Sequence, residues 1–110
     1  MKIDHIAIKV SDIEAASEWY CKKLNSKVIY ETDSYKQLQL ENTIIALIDE
    51  KRYKYAHIGV LTTKKEDFPP EGTIIEHRDG SLGCYITDPF GNCVEFIYYG
   101  EESGEKRGFG

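Results

Sequence analysis

Asp4-His5-Ile6-Ala7-Ile8-Lys9-Val10 and Ala56-His57-Ile58-Gly59-Val60-Leu61-Thr62 decide the fold, because the second stretch replays the first. In the first, Ile6, Ile8 and Val10 alternate with His5, Ala7 and Lys9, the period of a half-buried strand with the histidine on the less apolar face. Further strand-like runs follow each histidine, at 27–32, 35–41 and 43–49 after the first and at 73–78, 82–87 and 93–99 after the second. Glu41-Asn42 reads as a hairpin turn, and Pro89-Phe90-Gly91-Asn92 as the turn into the last strand.

Between the first strand and the second lies the one clear helix. Ser11-Asp12-Ile13-Glu14 has the form of a capping box with Ser11 as the cap. Ile13, Ala16, Tyr20 and Leu24 recur at helical spacing, Lys22 and Lys23 suit the C-terminal dipole, and Asn25 suits a left-handed cap. Trp19 and Tyr20 are read as helix-packing residues. In the second half, Thr63 to Gly72 contains Pro69-Pro70, so one helical turn is the most that fits. The fold expected is α+β: tandem βαβββ modules, at 1–50 and 55–99 of one domain spanning 1–99, with the second helix shortened or absent. Residues 100–110 are polar and glycine-rich and are expected to form a mobile tail.

The repeat can be tested on the acidic position. Glu95 follows His57 by 38 positions, and Ala46, its counterpart when Ile45-Ala46-Leu47-Ile48 is aligned with Val94-Glu95-Phe96-Ile97, follows His5 by 41. Loop length absorbs that difference. A pseudo-twofold arrangement then aims positions 5, 46, 57 and 95 at one centre. His5, His57 and Glu95 are metal-ligating types, two histidines and one carboxylate that leave coordination positions open, whereas Ala46 leaves its side without a ligand. By strand parity Cys93, Ile97, Tyr99, Gly59, Leu61, Ile44 and Ile48 share the ligand face, a lining that suits a small, partly hydrophobic molecule.

Composition narrows the classes. A chain of 110 residues with 14 basic and 19 acidic residues, net −5, has no basic stripe to follow a phosphate backbone, so nucleic acid is disfavoured. No run approaches a membrane span and no signal peptide pattern is present, so a cytoplasmic protein is expected. Cys21, Cys84 and Cys93 are odd in number and lack C-x-x-C spacing, which points to free thiols.

These stretches, together with Tyr85-Ile86-Thr87-Asp88-Pro89-Phe90-Gly91-Asn92-Cys93-Val94-Glu95-Phe96, resemble the vicinal oxygen chelate superfamily over residues 1–99. That superfamily includes glyoxalase I, methylmalonyl-CoA epimerase, fosfomycin-resistance enzymes, extradiol ring-cleaving dioxygenases and bleomycin-resistance proteins. The resemblance implies an open mixed-sheet barrel around a divalent metal (Fe(II), Mn(II), Ni(II), Co(II) or Zn(II)) held by His5, His57 and Glu95. Ala46 falls on the fourth ligand position, where glyoxalases and epimerases carry glutamate or glutamine. Tyr85 falls where the dioxygenases and fosfomycin enzymes place an active-site tyrosine, and His77 falls near a histidine of the ring-cleaving enzymes, so both are catalytic candidates. Ala7 and Gly83 stand where a phosphonate would need hydroxyl side chains. The activity implied is that of a dioxygenase-like or lyase/isomerase metalloenzyme acting on a small substrate that chelates the ion through adjacent oxygens. The alternative is a metal-free, ligand-sequestering protein of the bleomycin-resistance type. Relatives commonly pair modules across chains, which implies a homodimer.

Overall fold

The computed structural model describes residues 1–100 as eight strands, one α-helix and one 3-10 turn. In chain order these are β1 (Lys2–Val10), α1 (Ile13–Leu24), β2 (Lys27–Glu31), β3 (Tyr35–Gln39), β4 (Ile44–Asp49), β5 (His57–Leu61), the 3-10 turn (Lys65–Asp67), β6 (Thr73–Glu76), β7 (Leu82–Thr87) and β8 (Cys93–Tyr98). The chain is α+β and the two halves repeat, with the second helix reduced to that turn. The expected tail lies outside the described residues. The described residues divide into two compact units, one spanning His5–Ala56 and the other joining Met1–Asp4 to residues 57–100.

In the first unit the strands run in the order β2-β3-β4-β1, with β1 parallel to β4 and the other neighbours antiparallel. Register places Ile6, Ile8, Leu38, Ile45 and Leu47 on one face. Helix α1 covers that face, as the ion pair from Lys36 on β3 to Glu14 on the helix shows, at 3.1 Å. Leu38 and Leu47 are fully buried there, each contributing about 2 kcal/mol from apolar area removed from water. The opposite face carries His5, Ala7, Ile44, Ala46, Ile48, Tyr35 and Gln37.

The helix start corrects the sequence reading. Asp12, not Ser11, is the cap, accepting from the Ala15 amide at 3.0 Å. Both residues are good caps. Glu14 is drawn instead to Lys36, which is buried and also pairs with Glu31 at 2.9 Å, so it does not close a capping box. The Glu31 hydrogen bond outweighs burial and raises the Lys36 pKa above its ordinary value. At the other end Asn25 adopts the expected left-handed conformation, φ 54°. Trp19 is mostly exposed rather than packed, its ring edge-on to that of Tyr20.

The second unit repeats the plan in the order β5-β8-β7-β6, with β5 parallel to β8 and the other neighbours antiparallel. In the helix's place, the segment after the 3-10 turn lays Phe68 edge-on against Tyr98, and the Pro69 carbonyl accepts from Cys84 Sγ at 3.6 Å. This covers less sheet than a helix, and Ile58 and Ile74 on the same face stay exposed. The β7–β8 turn is built by Asp88, whose Oδ1 accepts from the Phe90 and Asn92 amides at 2.8 Å, while Gly91 takes φ +91°. That turn sets the register that places Glu95 opposite Tyr85.

Candidate functional site

Glu95 is the centre of the second unit's polar cluster. It lies on β8 with a side chain only 1% exposed, paired across the sheet with Gly59 on one side and Tyr85 on the other. Both neighbouring strands therefore present groups on its face. His57 Nε2 stands 3.2 Å from Glu95 Oε1, and His77 Nε2 stands 2.6 Å from Oε2. The two distances have different meanings. Two ligands about 2.1 Å from one cation, at tetrahedral to octahedral angles, stand about 3.0–3.4 Å apart, so His57 and Oε1 are spaced as neighbours on one ion. At 2.6 Å, His77 makes a short, charge-assisted hydrogen bond that the carboxylate accepts. Tyr85 packs edge-on against both imidazoles, with ring centres 5.5 Å from His57 and 6.4 Å from His77.

Gly83 makes this arrangement possible. It sits on β7 two residues from Tyr85, on the same face, and a Cβ there would collide with Glu95 Oε2 and come within 2.7 Å of His77 Nε2. His77 itself is held at the base of the β6–β7 hairpin, its amide donating to the Ser81 carbonyl at 2.9 Å. Cys93 is half-buried on the same face, and burial together with the Glu95 charge raises its thiol pKa, keeping it neutral.

His5 stands on β1 in the first unit, half-buried, on the face that carries Ala46. The repeat holds residue by residue. His5 pairs with Ile44 and His57 with Cys93, so Ala46 lies opposite Ala7, two residues beyond its histidine, as Glu95 lies opposite Gly59. Tyr35 packs on the buried cluster of Ala7, Ala46 and Ile48, and its hydroxyl accepts from Gln37 Nε2 at 2.8 Å. The Gln37 amide oxygen is buried and, among the described residues, has no hydrogen-bond partner.

Of the sequence-derived candidates, the structure brings His57, Glu95, Tyr85 and His77 into one cluster. Gly83, read only as a position lacking a hydroxyl, was missed as the space-maker beside His77 and Glu95, and the Tyr35–Gln37 pair was missed altogether, because neither a glycine nor a strand tyrosine announces its neighbour. Strand parity was the available signal, since 83 shares a face with 85, and 35 and 37 share a face with each other.

A family model described as Glyoxalase/Bleomycin resistance protein/Dioxygenase superfamily matches residues 2–68. The chain belongs to that superfamily. No curated protein matches it. Among solved structures it is similar to methylmalonyl-CoA epimerase from Mycobacterium tuberculosis, with a TM-score of 0.68 at 18% identity over 92% of this chain and 89% of that one. A variant of the Streptomyces coelicolor methylmalonyl-CoA epimerase, in complex with 2-nitronate-propionyl-CoA, gives a TM-score of 0.69 at 15% identity over 98% of both chains. A superfamily member from Vibrio splendidus gives 0.64 at 12% identity, covering 86% of this chain and 96% of that one. At these identities the superfamily members share the fold.

Proposed function

We propose that this superfamily member is a metal-dependent enzyme acting on a small substrate that chelates a divalent cation through adjacent oxygens, by dioxygenase-like or lyase/isomerase chemistry. The observation that carries the proposal is the fully buried Glu95 carboxylate with His57 Nε2 3.2 Å from one of its oxygens. Burying a carboxylate is costly unless it is paired or coordinates a cation, and this spacing fits coordination. His5 is the third ligand in this reading, supported by its repeat-equivalence to His57 in strand and register. Fe(II), Mn(II), Co(II), Ni(II) and Zn(II) all suit such a nitrogen and oxygen donor set.

A divalent cation held there supplies Lewis acidity. The chain's own residues do the rest. His57 and Glu95 hold the cation, Tyr85 stands beside both as a phenol able to orient or protonate a substrate oxygen, and His77, the other sequence-derived catalytic candidate, engages the second Glu95 oxygen. Ala46 provides no carboxylate at the repeat-equivalent position, which favours chemistry that does not shuttle a proton through that corner. Among the described residues no helix is long and apolar enough to cross a membrane. The proposal extends to a cytoplasmic protein and, by analogy with the module pairing of the superfamily, to a homodimer.

The test is metal analysis of the purified protein and of His57→Ala, followed by assays of methylglyoxal hemithioacetal, catechols and fosfomycin with each ion. Stoichiometric metal in the native protein, its loss in the variant and turnover of one oxygen-chelating substrate are expected. Protein that binds a small molecule but takes up no metal, and whose folding ignores added metal, would overturn the proposal in favour of a ligand-sequestering role.

A further inference from the structure

The two oxygens of Glu95 have different neighbours. Oε1 faces His57 at 3.2 Å, the separation of adjacent ligands on one ion, whereas Oε2 is engaged by His77 at 2.6 Å, the length of a short, direct hydrogen bond. His77 follows β6 at the base of the β6–β7 hairpin, where its backbone amide donates to the Ser81 carbonyl at 2.9 Å. Position 83 lies between His77 and Glu95, and only glycine leaves room there, because a Cβ would collide with Oε2.

We infer that His77 and Gly83 are positioning residues that make Glu95 a one-oxygen ligand. His77 donates its Nε2 proton to Oε2 and holds the carboxylate rotated so that Oε1 alone faces the cation; Gly83 keeps the space between them clear. A carboxylate free to rotate could bind through both oxygens and fill a position that a substrate with two adjacent oxygens needs. The device therefore preserves two neighbouring open positions. It rests on the proposed metal site and assigns His77 a different role from a catalytic acid or base, since its Nε2 is already committed to Glu95. Outer hydrogen bonds to metal-ligating groups typically account for about 10–100-fold in metal affinity.

The experiment titrates metal-free wild-type protein, H77A, H77Q and G83A with Co(II), Mn(II) and Zn(II) by calorimetry and records the visible spectrum of each Co(II) complex. Circular dichroism of each metal-free variant checks its fold. H77A is expected to bind about 10–100-fold more weakly and to show weaker Co(II) absorption, because a second carboxylate oxygen raises the coordination number. H77Q, whose amide can still donate, is expected to recover a substantial part of both. G83A attacks the same bond from another strand, so its effect and that of H77A should be far from additive in the double variant. It also serves as the independent probe if H77A does not fold. Wild-type protein that binds metal while H77A and G83A match it within about twofold, with unchanged Co(II) spectra, overturns the inference and leaves the proposed function standing. Wild-type protein that takes up none of the three ions overturns the proposed function, and the inference with it.

Discussion

Asp88 shows how one side chain can set up a site it does not enter. Its hydrogen bonds with the Asn92 side chain and amide, and then with Phe90 and Gly91, hold its carboxyl below the ordinary value of 3.8. Folding thus favours the ionised form. The resulting stability is fully present above pH 3.8 and is lost as pH falls through the lowered folded-state value. Acid titration of unfolding should show this contribution in wild type and lose it in Asp88→Asn, while an unchanged acid profile would refute the assignment. A second residue-scale expectation concerns Gln37, whose buried amide nitrogen donates to Tyr35 while its oxygen has no partner among the described residues. Removing one partner of a buried pair costs about 1–3 kcal/mol, but removing both with little change of shape is nearly neutral. Gln37→Met should therefore be tolerated better than Tyr35→Phe, which leaves the Gln37 amide without its acceptor and should cost about 1–3 kcal/mol in urea unfolding.

Element by element, the helices carry the difference between the modules. Helix α1 starts at Asp12, so Asp12→Ala should cost about 1 kcal/mol in denaturant unfolding and Ser11→Ala a few tenths at most. Equal losses would restore Ser11 as the cap. The approximate span of α1 and its left-handed end at Asn25 were legible because periodicity and capping chemistry act within a few residues. The choice between two adjacent capping residues was not, since it turned on Glu14 pairing with Lys36 on another strand. Pro69-Pro70 announced the loss of the second helix. That Phe68 and Pro69 would cover Tyr98 and Cys84 instead depended on sheet register and could not be read locally.

For the whole molecule, the proposed ligands sit on strands far apart in sequence, so the unfolded chain cannot present them together and metal should bind the folded state alone. At about 100-fold excess over its dissociation constant, a bound ion should add about 2.7 kcal/mol of stability, read as a rise in unfolding temperature. His5→Ala, His57→Ala and Glu95→Ala should each abolish most of that rise; a His5 variant that keeps it would remove His5 from the set. By itself, the sequence determined the α+β repeat, the alternation that puts each histidine on its strand face, and the equivalence of Ala46 with Glu95, because strand and helix periods are local properties of the chain. Only the tertiary structure decided that His77 would grip Glu95, that Gly83 would clear the space for it, and that Tyr35 would pack over the Ala46 cluster. Those contacts join residues through hydrogen-bond register and side-chain rotation, which follow from how the whole sheet packs and not from any one stretch of sequence.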